Sequence, residues 1–253
     1  MISDLLKNKF EASIDFDPLI KMAVKKEERL SVDYFDFYNS VSSVYSSKIE
    51  GEEIDFDSFF KHKFLNVQYH PDYTKKSQDL LNAYEFILNH EFNRANIFEA
   101  HKILSNHLLP ATQRGQIRNT PMFVINEEDR IEYVACDQFK IETALSAFFD
   151  AIEKLFKQEL TPIEVFFYAA QIHLVFVKIH PFQDGNGRTA RLMEKWFLIQ
   201  HFGNDAVAIE LEKNYYQNRK AYYDNIRKLG LEYDSLDYLK ALDFLLMTIH
   251  SLQ

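Results

Sequence analysis

Glycine and proline are scarce in this chain, with six of each among 253 residues, against typical usage of about 7% and 5%. A chain with so few breakers and long stretches of helix-like apolar spacing is expected to be mostly α. The breakers that do occur show where helices stop. Two of the glycines, Gly185 and Gly187, flank one asparagine in His180-Pro-Phe-Gln-Asp-Gly-Asn-Gly-Arg-Thr-Ala-Arg191. An apolar run over 166–179 ends at this stretch, because Pro181 biases residue 180 away from αR. Helical spacing resumes after Gly187 with Leu192, Met193, Trp196, Phe197 and Ile199. Residues 182–187 therefore read as a short loop feeding a helix N-terminus.

That loop concentrates chemistry. Free N–H groups at a helix start, beside glycines that permit close approach, form an anion site. Arg188 and Arg191 lie three apart on one face of the new helix. Cations in a first turn oppose the helix dipole by ~0.3–1 kcal/mol, whereas a bound polyphosphate would reverse that sign and satisfy both guanidiniums. Asp184 is suited to Mg²⁺ bridging phosphate oxygens. His180 can accept a proton from an incoming hydroxyl near neutral pH.

These twelve residues match, at every specified position, the Fic motif His-Pro-Phe-x-(Asp/Glu)-Gly-Asn-Gly-Arg-x-x-Arg. The resemblance implies an α-helical protein that transfers AMP from Mg-ATP to a Ser, Thr or Tyr hydroxyl of a protein. It also implies roles. His180 would activate the hydroxyl and Asp184 would hold Mg²⁺. Asn186 and the amides of Gly185 and Gly187 would cradle the inner phosphates, and Arg188 and Arg191 the outer ones. Other outcomes stay open: another transferred group (UMP, phosphocholine or a phosphoryl group), removal of AMP, or nucleotide sensing without turnover.

Upstream, residues 33–51 read as a helix with Tyr34, Phe37, Tyr38, Val41, Val44, Tyr45 and Ile49 close to one stripe and Gly51 as its C-terminal cap. Two features disturb that picture. Ser42, Ser43, Ser46 and Ser47 crowd the helix although serine is a modest helix former. Glu50 sits at the end where the dipole disfavours a carboxylate, which suggests a cationic partner. The stretch Ser46-x-x-x-Glu50-Gly51 resembles the inhibitory-helix motif of many Fic proteins, (Ser/Thr)-x-x-x-Glu-(Gly/Asn). That resemblance implies a Glu50–Arg191 pair occupying the space of the ATP γ-phosphate.

Elsewhere the spacing changes character once. Met122, Val124, Ile131, Tyr133 and Val134 surround the polar Asn126-Glu-Glu-Asp129 and predict a β-hairpin. In Fic proteins a hairpin at this place pairs with the target segment, so the resemblance implies a protein target lying along 121–134. The 14 tyrosines make the chain itself a further target. Tyr222 and Tyr223, in an aromatic stretch over 214–225, would line the adenine pocket by the same resemblance. Arg114, Gln116 and Arg118 receive no role. A helix over 137–158 takes in Phe139, Thr161-Pro-Ile-Glu164 opens the helix before the motif as a capping box, and a last helix starts at Ser235. The expected organisation is an N-terminal helical region over 1–94, a Fic core over 95–235 and a C-terminal helix over 236–253.

The net charge of −9 argues against broad nucleic-acid or anionic-membrane binding. Cys136 is alone, so no intramolecular disulfide forms and it reads as a packing residue. His62, His70 and His101 lack paired zinc spacing and read as solvated or capping, while His173 reads as a satisfied core histidine. No apolar run approaches the ~18 residues of a membrane span, and the N-terminus lacks a signal-peptide pattern. Cytoplasm is the expected location, and a homo-oligomer is compatible with the sequence.

Overall fold

A computed structural model describes residues 2–26, 33–65, 71–125 and 131–253. The Asn126-Glu-Glu-Asp129 turn, His70 and the charged run over 27–29 lie outside the described residues. Twelve α-helices stand among the described residues. The first six are α1 (Lys7–Ala12), α2 (Pro18–Lys26), α3 (Tyr34–Ile49), α4 (Phe56–Leu65), α5 (Pro71–Ile87) and α6 (Arg94–Leu104). A two-stranded antiparallel sheet follows, β1 (Phe123–Ile125) and β2 (Ile131–Val134). Then come α7 (Ile141–Leu155), α8 (Pro162–Ile179), α9 (Asn186–Phe202), α10 (Leu211–Gln217), α11 (Arg219–Arg227) and α12 (Leu242–His250). The protein is mostly α with one hairpin, as the sequence implies.

The centre of the fold is α8. It opens with the expected capping box: Glu164 N–H donates to Thr161 Oγ1 at 3.3 Å and Thr161 N–H to Glu164 Oε2 at 2.8 Å. Every residue from Val165 to Ile179 is buried, because α9, α12, α7 and α1 pack around it. Its 18 residues have a mean hydropathy of 1.4. This corrects the expectation that no run reaches span length. The helix is apolar all round because it is wrapped by other helices, with 83% of it buried.

Helix α3 also departs from a simple amphipathic stripe. Asp33 caps its start, accepting from the N–H groups of Phe35 and Asp36. Ser40, Ser42, Ser43, Ser46 and Ser47 are all buried alongside Tyr38, Val41, Val44 and Ile49. Their small side chains let α5 and α10 close on α3 from either side, and their hydroxyls find partners there. Ser42 donates to Glu212 at 2.9 Å, and the Ser47 and Ser77 hydroxyls are 3.0 Å apart.

Glu212 anchors a second, wholly buried polar cluster. It lies 3.2 Å from Lys195 Nζ and accepts from Tyr84 OH at 2.7 Å as well as from Ser42. Lys195 also donates to the carbonyls of Val207 and Ile209. One ion pair thus ties α3, α5, α9 and α10 together.

In the hairpin, Phe123 pairs with Val134, Val124 with Tyr133 and Ile125 with Ile131. Tyr133 is buried, whereas Phe123, Ile125 and Ile131 are about half exposed. The β2 edge is held by Val134 N–H donating to Leu231 O at 2.8 Å. Three expected boundaries shift. The 214–225 helix breaks at Asn218, the last helix begins at Leu242 after two 3₁₀ turns, and Phe139 precedes α7 on the surface.

Glu212→Ala should destabilise the fold by about 3–5 kcal/mol, since it leaves the Lys195 charge buried without its carboxylate. Chemical denaturation followed by circular dichroism measures this, and a loss below ~1 kcal/mol would mean that Lys195 is not held by this pair.

Candidate active site

His180 occupies the turn between α8 and α9 in a left-handed conformation, φ 53° and ψ 58°, where Pro181 denies it αR. For a non-glycine residue this costs ~1–2 kcal/mol, so the surroundings must hold it. Arg118, which the sequence left without a role, does so. Its Nε donates to His180 O at 2.7 Å, its N–H to Pro181 O at 2.9 Å, its Nη1 to Thr120 O at 2.6 Å and its Nη2 to Cys136 O. One buried guanidinium therefore fixes the histidine backbone and joins it to the residues flanking the hairpin.

The ring is fixed as well. His180 Nδ1 lies 3.1 Å from Val177 O and 3.0 Å from Tyr133 OH, and that hydroxyl lies 3.0 Å from Val177 O. A carbonyl only accepts, so the arrangement is satisfied when Tyr133 donates to Val177 O and Nδ1 carries the ring proton. Nε2 is then left with its lone pair. Burial pushes the His180 pKa down to about 4, so the imidazole is neutral near pH 7.

The loop after His180 is braced by side chains. Asn186 accepts from Phe182 N–H through Oδ1 and donates to Phe182 O through Nδ2, both at 2.8 Å. Its amide group closes the loop with one of its two N–H donors. His101 is buried rather than solvated. Gly115 N–H donates to its Nδ1 at 2.9 Å, its Nε2 donates to Asp184 O at 2.9 Å, and its ring stacks on Phe182. Burial lowers its pKa to about 4. Asp184 is exposed, with Oδ1 accepting from Gly185 N–H at 2.6 Å. Among the described residues no cluster of three His, Cys, Asp or Glu side chains forms a metal cage. A lone exposed carboxylate suits Mg²⁺ held mainly by phosphate oxygens and water.

The arginines meet the end of α3. Arg191 is fully buried. Its Nη2 donates to Glu50 Oε1 at 2.6 Å and to Ser46 O at 3.1 Å, its Nε to Ser46 Oγ at 2.8 Å and its Nη1 to Tyr222 OH at 3.2 Å. Burial works to raise the Glu50 pKa, but Arg191 and Arg188 outweigh it and hold the carboxyl below its ordinary value. The carboxylate rests against the first turn of α9: a Cβ on Gly187 would lie 2.6 Å from Glu50 Oε1. A larger residue there would push the carboxylate aside. Arg188 reaches a second carboxylate, Glu52, at 3.2 Å, a pair with no signature in the sequence.

Tyr222, expected at an adenine pocket, is engaged here by protein groups. It is buried, and its hydroxyl lies 2.9 Å from His173 Nε2 as well as beside Arg191. His173 Nδ1 lies 2.6 Å from Glu194, which accepts from Tyr215 and Thr248, each at 2.7 Å. Tyr223 is half-buried and donates to Ile49 O, the last carbonyl of α3, at 3.2 Å.

Residues 91–198 match the sequence profile of the Fic/DOC family. A protein adenylyltransferase Fic of Nematostella vectensis is 34% identical over 133 residues, covering 53% of this chain and 27% of that protein. A uridine 5'-monophosphate transferase of Xanthomonas campestris is 56% identical over 34 residues, 13% of this chain and 6% of that protein. The chain thus spans about a quarter or less of these relatives. A solved structure of a Fic family protein from Desulfovibrio desulfuricans superposes with a TM-score of 0.74 at 16% identity, covering 100% of this chain and 73% of the other.

His180 should titrate near pH 4, well below the ordinary histidine value of about 6.5, and stay neutral with its proton on Nδ1 at pH 7. Nitrogen-15 NMR of labelled histidine reads both. A midpoint near 6.5 would show that the ring is solvated.

Proposed function

We propose that this protein, whose residues 91–198 match the Fic/DOC family, transfers AMP from Mg-ATP to a hydroxyl of a protein target. The proposal rests above all on the juxtaposition at the α8–α9 turn, where a neutral imidazole with a free Nε2 stands beside a helix N-terminus bearing two arginines. The named adenylyltransferase relative supports the choice of AMP, but the short match to a uridylyltransferase means that the motif alone does not select the base.

In the reaction, the target's oxygen attacks the α-phosphorus, the α–β phosphoanhydride bond breaks and pyrophosphate leaves. The hydroxyl proton passes to His180 Nε2, made available by the Nδ1–H contact to Val177 O. Arg118 keeps His180 in place through its backbone, so that the base is pre-organised rather than recruited. The backbone N–H groups at the start of α9 and the guanidiniums of Arg188 and Arg191 bind the phosphates and the charge that develops on the leaving group. Mg²⁺ at Asp184, when bound, would neutralise phosphate charge. The apolar edge of the hairpin, with Phe123, Ile125 and Ile131 exposed, offers main-chain pairing and an apolar face to an extended target segment, which would set the hydroxyl against His180.

Glu50 is the brake in this scheme. Its contact with Arg191 takes a cation that the γ-phosphate needs, and its carboxylate places negative charge at the phosphate site. Removing it should release transfer.

Wild type, Glu50→Gly and Glu50→Gly/His180→Ala are to be compared with ATP labelled at the α- or γ-phosphate, and with α-labelled UTP. Label from α-ATP alone is expected, at least about tenfold stronger in Glu50→Gly and at least about 10²-fold weaker in the double variant. Equal labelling by wild type and Glu50→Gly would remove the brake, label from γ-ATP would mean a kinase, and label from UTP would make the protein a uridylyltransferase.

A further inference from the structure

The end of α3 carries more than Glu50. Gly51, at φ 86°, turns the chain in a Schellman motif: Gly51 N–H donates to Lys48 O at 3.1 Å and Glu52 N–H to Ser47 O at 3.2 Å. This fold-back places Glu50 and Glu52, two apart in sequence, before Arg191 and Arg188, three apart on α9. Glu50 Oε1 is 2.6 Å from Arg191, and Glu52 Oε1 is 3.2 Å from Arg188.

The two pairs are unequal. Arg191 is tied by Ser46 and Tyr222 in addition to Glu50. Arg188 is 4% exposed, yet its Nε is buried with no hydrogen-bond partner among the described residues. Its carboxylate is also shared, because the same oxygen of Glu52 lies 2.8 Å from Lys76 Nζ on α5. A buried guanidinium with one long contact and an idle donor is built for a better acceptor. A polyphosphate supplies one, with several anionic oxygens within reach of Nε and Nη2 together.

We propose that Glu52 is a second inhibitory carboxylate. It holds Arg188, and must be displaced by the outer phosphates of an incoming nucleoside triphosphate just as Glu50 must be displaced from Arg191. The proposal rests on the nucleotide-transfer reading of this site. The brake is then two anions on one turn, a tight one on Arg191 and a weaker one on Arg188. Lys76 moderates the weaker one by drawing on the same oxygen, and stands ready as a third cation at the phosphate tail once Glu52 moves.

The test is calorimetric binding of Mg-ATP and of adenosine to wild type, Glu52→Gln, Glu50→Gly and Glu50→Gly/Glu52→Gln, each checked for an unchanged melting temperature. The informative comparison is within the Glu50→Gly background, where loosening the Glu50 contact no longer has any effect. There, Glu52→Gln should tighten Mg-ATP about three- to tenfold and leave adenosine unchanged, the size expected of a partly exposed ion pair. Equal Mg-ATP affinities in that background would overturn the role of Glu52 while leaving the nucleotide reading intact. Tightening of adenosine as well would assign the effect to looser packing and overturn it too. Absence of Mg-ATP binding in all four folded proteins would overturn the nucleotide reading itself. Should Glu52→Gln not fold, Glu52→Asp keeps the charge and withdraws it by one methylene. It should then give a smaller gain of the same sign, and no gain would count against the proposal.

Discussion

The buried guanidinium of Arg191 is the interaction on which the rest of this structure depends. A cation with no solvent access must be surrounded by acceptors, and those acceptors come from different parts of the chain. Ser46 and Glu50 arrive on α3, and Tyr222 on α11. Tyr222 passes the constraint inward to His173 and Glu194, and from there to Tyr215 and Thr248. One charge near the start of α9 thereby fixes the positions of helices over 200 residues apart in sequence, Ser46 and Thr248 being its outermost links.

A similar economy governs the base. His180 is held at its carbonyl by Arg118, at its ring by Val177 and Tyr133, and its loop is held by Asn186 and His101. Each bond is ordinary. Together they keep a non-glycine residue in a left-handed conformation, and they leave one nitrogen lone pair uncommitted. Burial of His180 and His101 supplies the rest, because it keeps both rings neutral where an exposed histidine would begin to charge.

Much of this was legible in the sequence, for reasons that are local. The scarcity of glycine and proline announced helices, the change to alternating spacing announced the hairpin, and the twelve-residue motif announced the site. Glu50 stood out because a carboxylate at a helix C-terminus lacks a local explanation. What stayed hidden depends on contacts through space. Arg118 received no role from the sequence, because its guanidinium meets three backbone carbonyls that only the fold brings together. His101 lacked paired spacing because its partners are backbone groups of residues 115 and 184. The bonds of Tyr222 to Arg191 and His173 were not legible either, since nothing local marks a tyrosine that faces a buried arginine. Glu52 drew no notice in the sequence, because only the turn at Gly51 brings it to Arg188.

The serine-lined packing of α3 bears on how the proposed brake would be lifted. A helix buried on nearly every side, and sharing Glu212 with α5, α9 and α10, is structural material for the domain rather than a cover laid over it. Cutting it away would open the core and strand a buried lysine, so truncation is a route to misfolding. Under the proposed scheme, relief would come from the last turn alone, by rotation of two acidic side chains while the helix stays seated. The proposed switch is therefore small: two side chains move, and whatever throws it acts on the last turn of α3.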